Sequence, residues 1–342
     1  MKTIGIIIIL YLFAGTPSVK AQSAIDSVQF FISSNPINVT LITNLRNLLS
    51  GKIKDDFQKA TFTCKLEDGV VLSKEILLKV RGHLRRTICY MPPIKLLFHN
   101  PTSPGQYSLN TLKLVSSCKD NINYEQFLLK EYLIYKMYNL LTDKSFKVRL
   151  LNLTCEDNND RKKTFTRYAF LLEDVDAMAK RNSCREMNNQ EIKTESTNRE
   201  QMTMVALFQY MIGNTDWSVP KNHNIKLLID REDSTIKPYA VPYDFDYAGL
   251  VNADYAIPEP QLNIENVTQR LYRGFARTMN ELQAAIKIYS QQKENIYTLI
   301  KNFEPLDKKN KKEMMYYLDN FYTLIDNPKQ VQFTFIDEAR KE

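Results

Sequence analysis

Glycine, histidine and tryptophan are scarce in this chain of 342 residues, which contains 9, 3 and 1 of them. Nine glycines leave no glycine-rich loop of the kind that wraps a phosphate chain with backbone N–H groups. With only three histidines, and with cysteines at spacings that match no zinc motif, we expect no structural zinc site. The basic residues are spread out and not interleaved with aromatic residues, so we expect no nucleic-acid-binding surface.

The five cysteines are an odd number, so at least one is unpaired or bonds elsewhere. The N-terminus indicates a compartment in which disulfides form, because residues 1–21 have the form of a secretory signal. Lys2 is followed by an apolar run over residues 4–14 and by small residues up to Ala21. That run is too short to span a bilayer, and no other segment approaches that length. The sequence therefore predicts a secreted or periplasmic protein with no transmembrane segment.

The chain is long enough for two lobes. Ile76, Leu78 and Val80 fall on one face of a strand, and Ile94, Leu96 and Phe98 do so likewise, which predicts strands of an antiparallel sheet. A long helix is predicted over residues 124–141, and further helices over 200–212, 279–303 and 307–326. We therefore expect a signal segment (1–21), a β-rich unit with one long helix (22–175) and a mainly helical unit (176–342).

The most informative stretch combines three oxygen-bearing side chains. Asp216 lies in a loop after Gly213, Asn224 directly precedes an apolar run over residues 225–229, and Asp244 follows a second run over residues 239–243. A polar turn over residues 231–235 makes the two runs a hairpin, which brings Asn224 and Asp244 to the same end. This order suits phosphoryl transfer, which needs one carboxylate at the acceptor hydroxyl and oxygen ligands for magnesium. The alternative is that Asp and Asn simply favour turns and helix ends.

Residues 213–216 with Asn224 and residues 243–246 resemble the C-lobe signature of the CotH (spore-coat-protein-H) family of secreted atypical protein kinases. Residues 78–82, followed by Arg85 and residues 93–98, resemble the N-lobe element of that family, in which an Arg-Gly turn precedes a basic loop and a lysine strand. Residues 168–176 resemble the segment that joins its lobes. The resemblance covers roughly residues 76 to 250.

The resemblance implies an α+β, bilobal, atypical protein-kinase-like fold with a β-rich N-lobe and a mainly helical C-lobe. It implies phosphate transfer from ATP, with Mg²⁺ or Mn²⁺, to a serine or threonine hydroxyl of a protein outside the cytoplasm. Asp216 would orient and deprotonate that hydroxyl. Asn224 and Asp244 would bind the metal, with Asp246 as a further ligand, although Asn222 is a second candidate asparagine.

In the N-terminal half, the resemblance makes Lys95 the residue that holds the α- and β-phosphates. Arg81 and Arg85 belong to the basic element that would cover the phosphates in place of a glycine-rich loop. Glu131 is a carboxylate in an apolar helical stripe, and it would either pair with Lys95 or reach water at the edge of the stripe. Asp246, Arg81 and Arg85 are assigned only through the resemblance.

Two other functions remain open at this stage. One is a catalytically silent binding or adhesion protein, which the scarcity of nucleotides outside the cytoplasm favours and the retained carboxylates oppose. The other is an enzyme that transfers a different group, such as AMP. The sequence does not identify a substrate.

We predict that the mature protein begins at Gln22, because the small residues that end at Ala21 form the expected cleavage site. N-terminal mass spectrometry of protein collected outside the cytoplasm measures this directly. An intact Met1 on the exported protein would contradict the prediction.

Overall fold

The computed structural model of this protein describes residues 30–31, 35–50, 57–65, 69, 71–81, 89–98, 111–187, 191–233 and 235–341. The expected signal segment and Arg85 lie outside the described residues. No helix within these ranges is long and apolar enough to cross a membrane.

Seven strands close into a barrel in the order β1-β2-β3-β4-β5-β7-β6. Neighbouring strands are antiparallel, except that β1 and β6 run parallel with Ile37 opposite Leu151. The strands are β1 (Ile37–Thr43), β2 (Gln58–Lys65), β3 (Val71–Val80), β4 (Ile94–Phe98), β5 (Thr111–Ser116), β6 (Val148–Asp157) and β7 (Phe165–Leu172).

The expected bilobal kinase-like fold, with a β-rich N-lobe built on an antiparallel sheet and a mainly helical C-lobe, is wrong. The alternating segments do form antiparallel strands, but β1 joins β2 to β6, and this pairing closes the sheet into a mixed barrel. Alternation tells which face of a strand is apolar, and it does not tell which strands pair. No strand was predicted for residues 37–43, so the meeting of the two sheet edges was not predicted either. Closure also removes the exposed sheet edges that an open sheet would leave.

The interior of the barrel is a continuous apolar core. Every second residue of β1 points inward, and Val39 and Leu41 are each 1% exposed. Cys64 of β2 and Cys155 of β6 belong to the same core. The barrel interior is therefore filled with side chains, so any ligand site lies on its outside.

A second core surrounds the long helix α2 (Ile122–Leu141), which confirms the helix predicted over residues 124–141. Asn121 begins this helix, and its side-chain oxygen accepts a hydrogen bond from the N–H of Asn123 at 2.8 Å. The helix packs against β5, β6 and β7 on one side and against helix α5 (Met279–Asn302) on the other. It therefore joins the barrel to the rest of the chain.

The remaining elements, apart from one short helix on the barrel, pack around the second core. A three-stranded antiparallel sheet has the order β10-β9-β8. Its strands are β8 (Cys184–Glu186), β9 (Ile225–Asp230) and β10 (Tyr239–Pro242). The other helices within the described ranges are α1 (Leu45–Leu49), α3 (Val175–Arg181), α4 (Arg199–Ile212), α5, α6 (Lys308–Ile325) and α7 (Pro328–Gln332).

A disulfide joins Cys89, which precedes β4, to Cys118, which precedes α2. The N–H of Tyr90 also donates to the Cys118 carbonyl at 2.7 Å, so two links fix the same pair of segments. Cys64, Cys155 and Cys184 are buried free thiols. The structure thus shows two of the five cysteines joined in a disulfide and three as free thiols.

We predict three thiols per chain when the protein is unfolded without reductant, and five after reduction. In the native protein, Cys64 and Cys155 should not react with an alkylating reagent near neutral pH. Both are buried, and burial raises the pKa of Cys64 to about 11 and that of Cys155 to about 12. Mass spectrometry after alkylation counts the thiols, and five labelled cysteines without reductant would contradict the disulfide.

Candidate functional site

The candidate site begins at the end of α4, where the backbone turns sharply. Gly213 has φ of +67°, and a Cβ added there would lie 2.0 Å from the hydroxyl oxygen of Tyr317, so only glycine fits. The next residue, Asn214, is buried and accepts a hydrogen bond from the Asp216 N–H at 3.0 Å. Its Nδ2 donates to the side-chain oxygen of Gln209 at 3.0 Å. The backbone of Asp216 is therefore fixed relative to α4.

The Asp216 carboxylate is held by two residues from the end of the same loop. His223 Nε2 lies 2.7 Å from Oδ1, and Asn224 Nδ2 donates to Oδ2 at 2.9 Å and to the Asp216 carbonyl at 2.8 Å. A β-bridge between Ser218 and His223 folds the loop back so that these contacts form. The side chain of Asp216 is still 27% exposed, so a hydroxyl can reach it.

The structure thus brings Asp216 and Asn224 together, as the sequence predicted, and adds His223, which the sequence argument had not assigned to the site. The sequence feature that pointed to His223 was its position next to Asn224, because its contact with Asp216 depends on the loop conformation. Arg273 was also missed. It donates from Nη1 to the carbonyls of Thr215 and Trp217, the latter at 3.0 Å, and so holds the loop from outside.

The hairpin that carries Asn224 and Asp244 has the predicted arrangement. β9 and β10 are antiparallel with Ile225 opposite Pro242, and the Tyr243 N–H donates to the Asn224 carbonyl at 3.1 Å. Asn224 and Asp244 therefore flank the same end of the hairpin. Both residues have a left-handed backbone conformation, with φ of 51° and 63°, which Asn and Asp tolerate better than most residues do.

Tyr135 of α2 fixes the position of Asp244. The Asp244 N–H donates to the Tyr135 hydroxyl at 2.8 Å, and the Tyr135 ring packs edge-on against Phe245 at 4.7 Å. Burial raises the pKa of Tyr135 well above its usual value, and the charges of Glu131 and Asp244 raise it further. Glu131 is itself 3% exposed, so it lies in the buried stripe and not at its edge.

The predicted lysine, Lys95, is exposed on the outer face of β4. The lysine beside Asp244 is instead Lys113, which lies opposite Lys95 on β5. Its Nζ lies 4.8 Å from the centre of the Tyr243 ring, and burial, helped by the charges of Arg81 and Lys226, lowers the pKa of Lys113 to about 8. Both lysines alternate with apolar residues in their strands, so the sequence pattern could not distinguish them. The pairing of Lys95 with Glu131 stays a prediction.

Arg81 follows β3 and is half-buried. Its N–H donates to the Pro93 carbonyl at 2.8 Å, which extends the pairing of β3 with β4. Its Nε is buried and has no hydrogen-bond partner among the described residues. Arg81 also acts electrostatically on Lys113 and Tyr135, which places its charge in the same region as Asp244.

The oxygen atoms of Asn224 and Asp244 fit magnesium or manganese better than zinc. Because the Nδ2 of Asn224 donates to Asp216, its Oδ1 is the atom left for a metal. Asp246 is 6% exposed and accepts a hydrogen bond from the Tyr255 hydroxyl at 3.2 Å, so it also supports the packing beneath the site. Within the described residues, no three His, Cys, Asp or Glu side chains form a metal-binding group. A metal here would need further oxygen ligands, which phosphates supply.

No model of a known protein family matches this sequence, and no curated protein matches it either. The resemblance to the CotH family therefore rests on its motifs and stays a prediction.

We predict that Lys113→Met raises the free energy of unfolding at pH 7 by roughly 1 to 2 kcal/mol, because a partly buried ammonium is removed. The folded state holds the Lys113 proton less tightly than the unfolded state does, so wild-type stability rises between about pH 8 and the usual lysine pKa of about 10.4. The advantage of the variant should shrink over that range. Urea unfolding at several pH values measures it, with Lys59→Met, at an exposed lysine of β2, as the control. A constant difference at all pH values would contradict the prediction.

Proposed function

We propose that this protein transfers the terminal phosphoryl group of ATP, as its magnesium or manganese complex, to a serine or threonine hydroxyl of a protein. The observation that carries the proposal is the placement of Asp216, Asn224 and Asp244 around one end of the β9–β10 hairpin, with Lys113 beside Asp244. The proposal follows from this arrangement and does not require the bilobal kinase-like fold that the structure contradicts.

The part of the site that would bind the phosphates contains both negatively and positively charged side chains. Asp244 and the Oδ1 of Asn224 would hold the metal, which supplies positive charge to the phosphate oxygens when it is bound. Lys113 and Arg81 would contact the phosphates directly, Lys113 as a point charge and Arg81 through its guanidinium N–H groups. Among the described residues, the buried Nε of Arg81 has no hydrogen-bond partner, which makes it a candidate donor of that kind.

Asp216 would form the part of the site that receives the acceptor hydroxyl, here called the acceptor end. Each carboxylate oxygen can accept more than one hydrogen bond, so the contacts from His223 and Asn224 leave room for an acceptor hydroxyl. Those contacts also prevent rotation of the carboxylate, which positions it before the substrate arrives. As the hydroxyl oxygen bonds to phosphorus, its proton passes to Asp216, the bond to the bridging oxygen breaks and ADP leaves.

The location proposed for this activity is outside the cytoplasm. The Cys89–Cys118 disulfide supports that location, because reducing compartments rarely retain disulfides. The signal segment expected from the sequence points in the same direction. The acceptor would accordingly be an exported protein.

We predict that Asp216→Asn keeps the affinity for metal and ATP within a few-fold, while transfer falls by roughly 10² or more, because a general base contributes about 10² to 10⁴ in rate. The asparagine retains the shape, and its amide can donate to His223 where the carboxylate accepted. Asp244→Ala should lose both transfer and nucleotide affinity. Incubation with ATP labelled on the γ-phosphate measures transfer, and calorimetry measures binding. Asp326→Asn, at an exposed helix end, is the control.

Each outcome has a distinct meaning. Full transfer by Asp216→Asn would show that the acceptor end is assigned wrongly, and normal nucleotide binding by Asp244→Ala would make Asp244 structural. Incorporation of label from the α-phosphate instead of the γ-phosphate would make the reaction AMP transfer. Nucleotide binding without any transfer would make the protein a silent binding protein.

A further inference from the structure

Three lysines lie side by side across the outer face of the barrel. The register places Lys79 of β3 opposite Lys95 of β4, and Lys95 opposite Lys113 of β5. Directly opposite residues of antiparallel strands point to the same face, so the three side chains form one line, here called the lysine row. Adjacent strands are about 4.8 Å apart, so the row spans only about 10 Å.

Such a row is unfavourable for the isolated fold, because like charges directly opposite one another are destabilising. The two end lysines are partly compensated by aromatic rings. Lys79 Nζ lies 5.3 Å from the centre of the Phe57 ring, and Lys113 Nζ lies 4.8 Å from that of Tyr243. Lys95, in the middle, is exposed between two positive neighbours.

The charged groups that face the row leave an excess of positive charge. Asp174, at the start of α3, interacts with Lys95 and Lys113, and Asp244 interacts with Lys113. Burial raises the pKa of Asp174, which shows that this carboxylate is itself poorly solvated.

Two further cations lie close to these groups. Lys226 has its own counter-ion, since it donates to Glu186 at 2.6 Å. Arg81 adds a guanidinium beside Lys113, and its buried Nε has no partner among the described residues. Within the described part of the chain, the three lysines and Arg81 interact with two carboxylates, Asp174 and Asp244, and Asp174 lies near a further carboxylate, Asp176.

We propose that the lysine row, together with Arg81, binds a linear chain of at least three phosphates. Near neutral pH, an internal phosphate of such a chain carries one negative charge and a terminal phosphate carries between one and two, so a short chain supplies enough charge within the row's span of about 10 Å. The row ends beside Asp244, where a divalent cation shared with the phosphates would prevent repulsion from that carboxylate. Binding of the chain does not depend on phosphoryl transfer. If the proposed function also holds, which this step requires, the donor is selected as a triphosphate over a diphosphate.

The experiment uses the full mature chain, inorganic tripolyphosphate with magnesium, and Lys95→Gln. Without ligand, the variant should melt at a higher temperature than the wild type, because the central like charge is removed. Its affinity for tripolyphosphate should fall at least tenfold, and wild type should bind tripolyphosphate more tightly than pyrophosphate. Calorimetry and thermal unfolding give the two readouts. The control is Lys59→Gln, since Lys59 lies on β2 opposite Leu77 and outside the row, and it should change neither readout.

An equal loss of affinity in Lys59→Gln and Lys95→Gln would overturn the proposal, because binding would then follow net charge alone. Unchanged affinity in Lys95→Gln would also overturn it, as would tighter binding of a poly-glutamate peptide than of tripolyphosphate. If Lys95→Gln fails to fold, Lys79→Gln tests the same row from its other end. If the protein transfers no phosphate but binds tripolyphosphate, and Lys95→Gln weakens that binding, this inference holds and the proposed function fails.

Discussion

One hydrogen bond connects the two parts of this molecule at the point where chemistry is proposed. The Tyr135 hydroxyl lies on the helix that packs against barrel strands and against α5, and it accepts a hydrogen bond from the N–H of Asp244 at the end of the hairpin. Because Tyr135 packs on Phe170 of the barrel and on Phe245 beyond Asp244, it sets the distance between the barrel lysines and the hairpin carboxylate. If this contact were lost, Asp244 would still follow β10 in the chain but would lose its position relative to Lys113.

The acceptor end of the site is positioned by different means. Asp216 lies on a loop, and loops are normally the most mobile parts of a fold. Here the Asn214 side chain accepts a hydrogen bond from the Asp216 N–H, and Arg273 donates to two carbonyls of the loop. His223 and Asn224 contact the Asp216 carboxylate itself. A carboxylate held this way needs little rearrangement on binding a substrate, which is the property that positioning in catalysis requires.

Uncompensated charges near the proposed site lower the stability of the folded protein. Burial lowers the pKa of Lys113, the Nε of Arg81 has no hydrogen-bond partner among the described residues, and Lys95 lies between two other lysines. Uncompensated charge of this kind is expected at sites where charged side chains bind a ligand and do not stabilise the fold. Binding of an anion would relieve all three at once, so ligand affinity and folding stability should change in opposite directions when these charges are removed.

The sequence by itself determined the local structure: the long helix, the hairpin that brings Asn224 beside the segment leading to Asp244, and the loop position of Asp216. These follow from periodicity, turn residues and spacing, which act over short distances along the chain. The tertiary structure alone decided that β1 closes the barrel, that Lys113 and not Lys95 lies beside Asp244, and that His223 and Arg273 hold the loop. These depend on strand pairing and on contacts between residues distant in sequence, where several partners satisfy the same local pattern and only the packing of the whole chain selects one.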